Sequence, residues 1–137
     1  AFAGPHSGRI RWHGPAWGEE KWRALARADL FCFPSHTEQF PIAVLDAMAA
    51  GLPVVASRVG AVSDQVVAGE GGWLVEPRDA AALEAALEEA ISDRDILTKF
   101  GAVNRRRYEE HFTREAFGRR WKELLGAFLS NGNSLGV

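Results

Sequence analysis

Apolar residues gather in short runs along this chain, and their spacing switches from continuous to helical and back. Leu30-Phe31-Cys32-Phe33 is an unbroken apolar run of the kind that makes a strand buried on both faces. After the polar stretch Pro34-Ser35-His36-Thr37-Glu38-Gln39, apolar residues return at 42, 44, 45, 48 and 49, close to the helical period. Pro41 suits the first turn of that helix, where its missing N–H costs nothing and its fixed φ is already helical. Gly51 suits the cap that ends it. Pro53 then opens Val54-Val55-Ala56, a second buried strand, and the turn Gly69-Glu70-Gly71-Gly72 leads into Trp73-Leu74-Val75, a third. Strand, helix and strand follow one another in the manner of a parallel α/β sheet.

The flanks carry weaker patterns. Ala1 to Gly8 is rich in Gly, Pro and Ser and reads as a loop; Arg9-Ile10-Arg11-Trp12-His13 reads as a short strand stopped by Gly14-Pro15. Glu19 to Ala28 predicts a modest helix with Trp22, Leu25 and Ala26 as its apolar stripe, Trp22 in the core, and early acids that complement the helix dipole. Asp79 is placed to cap a helix with Leu83, Leu87 and Ile91 on one face and Glu84, Glu88 and Glu89 on the solvated side. Asp93 to His111 predicts a further helix or a broken pair, with Phe100, Val103 and Tyr108 as core contacts. Thr113 caps a last helix carrying Phe117, Trp121, Leu124, Leu125 and Phe128. One domain over residues 1–130 and a mobile tail over 131–137 account for the whole chain.

Composition narrows the function classes. A chain of 137 residues that is 47% hydrophobic can close one core. Its net charge of −2, from 16 basic and 18 acidic residues, argues against a nucleic-acid binder relying on a basic surface. The run Arg105-Arg106-Arg107 could touch anionic lipid headgroups, though a solvated basic face is the stronger reading. The one cysteine, Cys32, falls in a predicted buried strand, cannot form an intrachain disulfide, and reads as a small packing residue in a cytoplasmic protein. No apolar run is long enough to span a membrane and the start carries no signal-peptide pattern. No metal-spaced Cys/His set, Walker loop or nucleophile elbow is present.

The candidate chemistry sits between residues 34 and 51. A loop leaving the carboxyl end of a parallel strand is where open α/β sheets bind their ligands. The N–H groups of the following first helical turn lack intrahelical partners and the dipole is positive there, so the place favours a phosphate. The dipole is worth only about 0.3–1 kcal/mol, so direct N–H hydrogen bonds must supply much of the grip. Glu38 in the loop can accept hydrogen bonds from neutral hydroxyls, and Asp46, about one turn into the helix, can reach a second hydroxyl pair. Two carboxylates flanking a phosphate-binding helix end suggest a sugar nucleotide. From spacing alone, a solvated loop acid and a polar position on an exposed helix face stand beside that reading.

A resemblance adds to these observations. Glu38 with Asp46 eight positions on, then Ala47-Met48-Ala49-Ala50-Gly51-Leu52-Pro53-Val54-Val55-Ala56-Ser57, resembles the signature of the retaining glycosyltransferases of family 4, which have the GT-B fold. The similarity continues through Gly60-Ala61 to Asp64 and from Gly69 to Val75. Two departures fall in the donor site: Asp46 stands where the family usually has Glu, and Gln39-Phe40-Pro41 replaces Gly-Phe-Gly. The resemblance implies a partial doubly wound parallel sheet, Rossmann-like, from the C-terminal half of a GT-B fold, with C-terminal helices. It implies that Glu38 is the catalytic residue and binds the donor sugar's hydroxyls. The amides near Gln39, Phe40, Pro41 and Ile42 then hold the phosphate, and Asp46 the ribose hydroxyls. His13 and Gly14 lie on the nucleobase side, where a solvent-facing strand end competes as an explanation. Gly60 admits a close ligand approach, or is a plain turn glycine. The donor is a nucleoside-diphosphate sugar, with no metal and no permanently bound cofactor.

The resemblance covers only the later two-thirds of the second GT-B domain, without the Arg and Lys that hold the diphosphate in the family. It therefore implies a partner, the absent N-terminal domain, and a fragment that does not catalyse transfer alone. In the order 3-2-1-4-5-6 the segments 9–13 and 30–34 correspond to strands 3 and 4, so either they pair directly or a bare sheet edge recruits a second copy as a dimer or swapped assembly. The rival class is a non-catalytic nucleotide-binding or protein-interaction module of the same fold.

Overall fold

The computed structural model describes residues 8–132. Three short strands, β1 (Phe31–Phe33), β2 (Val54–Ser57) and β3 (Gly72–Val75), form one sheet in the order β1-β2-β3, all parallel. The register places Phe31 beside Val54 and Val54 beside Gly72. Six helices surround the sheet: α1 (Gly18–Ala26), α2 (Ile42–Ala49), α3 (Val62–Gln65), α4 (Ala80–Ser92), α5 (Arg94–His111) and α6 (Arg114–Gly132). Each parallel connection passes through a helix, as it must when both strands point the same way.

The central strand explains the layering. All four residues of β2 are buried, and its side chains alternate between the two faces. Val54 and Ala56 pack with Val44, Leu45, Met48, Val62 and Val66 from the α2–α3 side. Val55 points the other way, into a smaller cluster with Ala86 and Ala90 of α4, flanked by Leu30, Trp73 and Leu83. A strand covered on both faces has no polar side, which is why Val54-Val55-Ala56 is an unbroken apolar run before the buried Ser57. The protein is thus an α/β unit with helices on both faces of an open parallel sheet.

α5 fastens this assembly. Asn104 is fully buried and donates from Nδ2 to the carbonyls of Leu52 (2.8 Å) and Gly71 (2.7 Å), joining the α2–β2 link to the lead-in of β3. Arg105 donates to the carbonyl of Ala49 at the C-terminal end of α2 and to Glu109 on its own helix. Arg107 donates to the carbonyls of Gln65 (2.8 Å) and Asp64 (2.7 Å) at the end of α3. Two members of the basic run are therefore also clasps: Arg105 and Arg106 are exposed, as the solvated face read from the sequence expects, while Arg107 is half-buried.

Other expectations change too. The strand predicted over Arg9–His13 does not form; Ile10 and Trp12 are exposed, and no segment among the described residues pairs with the outer edge of β1. A strand exists through its ladder, and an isolated alternating stretch has none to join. Without that neighbour Trp22, expected in the core, is 43% exposed. Cys32 is likewise exposed rather than buried, although the protein around its sulfur still desolvates it and pushes the thiol pKa up. Ile91 is 69% exposed, and the alanines Ala86 and Ala90 line the buried side of α4 instead. α5 is one unbroken helix, with Phe100 buried as expected. α6 runs on through Gly132, so residues 131 and 132 are helical where a tail was predicted; the rest of that tail lies outside the described residues, as does most of the Ala1–Gly8 loop. No helix among the described residues is long and apolar enough to cross a membrane.

Candidate functional site

The site is built from the turn between β1 and α2. β1 ends at Phe33, and the chain runs through Pro34 to Gln39 before Pro41 halts the extended backbone and α2 begins at Ile42. Pro41 is the N-cap residue (φ −72°, ψ 110°), one place before the helical turn to which it was expected to belong. Its carbonyl accepts from Val44 N at 3.2 Å, starting the helix. The N–H groups of Ile42 and Ala43 lie in the first turn, beyond the reach of any intrahelical carbonyl. α2 ends as predicted, with Ala50 as C-cap and Gly51 at φ +74°.

The loop is held from beneath by the turn before α3. Ala61 N donates to Gln39 O at 2.8 Å. Gly60 (φ +50°) lies so close that a Cβ there would collide with the carbonyl oxygens of Glu38 and Gln39. The room left by its missing side chain is thus filled by the loop's own backbone, not left open for a ligand. Gln65 is fully buried and donates from Nε2 to Pro41 O at 3.3 Å, while its Oε1 has no partner. Arg107 holds the backbone of α3 behind it. The mouth of α2 is therefore braced through two layers of polar contacts.

The two acids have different surroundings. Glu38 is exposed, and its Oε2 accepts from the N–H of the neighbouring Gln39 at 3.2 Å. Asp46 is 19% exposed and pairs through Oδ2 with Lys21 Nζ of α1 at 2.6 Å; Lys21 is 33% exposed. Among the described residues no hydrogen bond or ion pair joins Glu38 to Asp46. Phe40 and Ile42 are exposed beside the helix mouth. His13 is exposed and, with Arg11, Glu20, Arg23 and Arg27, lines a cavity of about 620 Å³. Gly14 takes φ +72° in a turn.

Three participants have no signal in the sequence. Lys21 reaches Asp46 across 25 residues, which no periodicity reports. Gln65 bonds the carbonyl of Pro41 and Arg107 the carbonyls of Gln65 and Asp64 behind it, so their own residue types give no hint of it. A second cavity, of about 430 Å³, opens at the carboxyl ends of the strands between Pro34, His36, Ser57, Glu76, Arg78 and Asp79. Its walls come from three separate segments, those at the ends of β1, β2 and β3.

Comparison with known proteins agrees with the fold. Residues 6–107 match the family described as glycosyl transferases group 1. Glycogen synthase of Mycobacterium tuberculosis is 36% identical over 88 residues, 64% of this chain and 21% of that protein. Sucrose-phosphate synthase from Thermosynechococcus elongatus superimposes with a TM-score of 0.67 at 33% identity, covering 76% of this chain and 27% of the other. Anabaena HepE, solved in complex with UDP-glucose, has the same fold, with a TM-score of 0.69 at 24% identity over 77% of this chain and 29% of its own. The chain spans about a quarter of the length of the curated relatives it matches.

Proposed function

The chain belongs to the glycosyl transferases group 1, and from that premise we propose that it is the donor-binding part of a family 4 transferase that moves a sugar from a nucleoside-diphosphate sugar to an acceptor hydroxyl with retention. The observation that carries this reading is the braced mouth of α2: first-turn N–H groups of Ile42 and Ala43, a carboxylate at Glu38 before them and another at Asp46 one turn beyond. Such a mouth suits an anion. The amides around Gln39 to Ile42 receive the diphosphate and stabilise the charge that grows on it as the glycosidic bond breaks, without a metal. Glu38 orients the donor sugar's hydroxyls at the reacting carbon. Asp46 accepts from the ribose hydroxyls, and His13 and Gly14 stand on the nucleobase side. HepE, of the same fold, is solved with UDP-glucose, so the fold accommodates a ligand of this class.

Calorimetric titration of the chain with UDP-glucose tests the reading. Glu38→Ala and Asp46→Ala should each weaken binding, Asp46→Ala by about 1.5–3 kcal/mol, the loss expected of a hydrogen bond to a charged group. Equal affinities in the wild type and both variants would overturn the site. On this reading the acceptor lies against a further domain, and the 137-residue chain alone should show no transfer. One observation favours a second reading as an interaction module: α6 presents Phe117, Leu124 and Phe128 to solvent. Under that reading the two acid variants leave partner binding unchanged.

A further inference from the structure

The cavity at the carboxyl ends of the strands has no part in the donor mouth. Its volume is about 430 Å³, and neither Glu38, Asp46 nor any residue from 39 to 42 lines it. Sites for small organic ligands run from about 300 to 1,000 Å³, so the space is of the right size for one. Among its lining residues is Ser57, the last of β2. Side chains alternate along a strand, so Ser57 points to the same face as Val55, the one that α4 covers. Ser57 is 3% exposed, and its hydroxyl makes none of the side-chain hydrogen bonds among the described residues. A covered hydroxyl with no protein partner is left for a ligand or for water.

The other groups on the wall decide which ligand. Arg78 enters no side-chain hydrogen bond or ion pair among the described residues, so its guanidinium is free to donate. Asp79 spends Oδ1 on Ala82 N at 2.9 Å and keeps Oδ2 as a further acceptor. Glu76 pairs with Arg58 at 3.3 Å, and Val75 and Leu83 supply apolar surface. Two carboxylates stand against one guanidinium, and Asp79 already meets the positive end of α4, so an anion finds no surplus of positive charge here. A neutral polyol finds what it needs. Its hydroxyls donate to the acids and accept from arginine and serine, while its C–H faces rest on valine and leucine. We propose that this cavity is a second binding site, for an unphosphorylated sugar residue of a glycan, with Ser57, Arg78 and Asp79 as its polar contacts. It stands apart from the donor mouth and shares none of its residues.

Titration of the isotope-labelled chain with maltose, sucrose and lactose, each followed by amide correlation spectra, tests the site. At least one of the three sugars should shift the amides of Ser57, Glu76, Arg78 and Asp79 to saturation. Arg78→Gly should weaken that sugar about tenfold, as for one hydrogen bond to a charged group, and Ser57→Ala about fivefold. Arg78→Gly keeps the fold, since glycine takes the left-handed backbone at φ +68° freely. Unshifted amides away from the cavity check both variants, and neither should change the affinity for UDP-glucose. Three sugars without saturable shifts at these amides overturn the site, as do shifts that arise instead over residues 38–46. Equal sugar affinity in the wild type and both variants overturns it too. Shifts at the cavity with inorganic phosphate and with no sugar overturn the carbohydrate assignment. A chain that binds a sugar here but not UDP-glucose overturns the donor reading and leaves this site standing.

Discussion

Arg78 holds the left-handed backbone (φ +68°) in the turn that leads from β3 into α4, a conformation in which a side chain clashes with its own carbonyl. Replacing it with glycine removes that clash. Arg78→Gly should therefore raise stability by about 1 kcal/mol, read as a higher urea midpoint at unchanged slope. Its side chain lines the cavity with His36, Glu76 and Asp79, so the variant also removes a cation from that wall. Gly60 is the converse case. There the backbone conformation is equally special, but the neighbours are the carbonyls of the donor loop, which cannot give way without moving Glu38.

At the scale of elements, α5 carries the argument. Asn104→Ala strands the buried carbonyl of Leu52 and leaves that of Gly71 with only its bond from Val54 N. A cost of about 2–4 kcal/mol should follow, measured by urea unfolding, against less than 1 kcal/mol for Arg106→Ala on the exposed face of the same helix. Here the limits of reading a sequence also become physical. β2 is legible because burial on both faces makes Val54-Val55-Ala56 an unbroken apolar run, with only its last residue, Ser57, polar. α4 is legible at its start because Asp79 accepts from Ala82 N, as a capping acid does. Its buried face is not: residues spaced by four advance about 40° per step, so the line from Leu83 to Ile91 drifts into water while small Ala86 and Ala90 let the helix close on Val55. The strand at 9–13 is misread because alternation says nothing about whether a partner edge is present. Within the site, the Glu38-to-Ile42 turn could be located from composition and spacing. What supports it, from Gln65, Arg107 and Lys21, depends on tertiary contacts between 20 and 45 positions apart.

At the scale of the molecule, no described residue pairs with the outer edge of β1, and none covers the apolar stripe of α6. Phe117, Trp121, Leu124 and Phe128 are exposed along one helix, and such a patch marks an interaction site. The chain should self-associate at high concentration in sedimentation velocity. If α6 is responsible, a Phe117→Ser, Leu124→Ser, Phe128→Ser triple variant should sediment as a monomer, whereas association through the β1 edge would survive it. The single amide of Asn104 has a last consequence. By tying positions 52, 71 and 104 at one point, it makes the strands, α2 and α5 a single cooperative block, while α1 and α6 hang outside it. Warmed slowly, this protein should shed its rim first and lose its hub all at once.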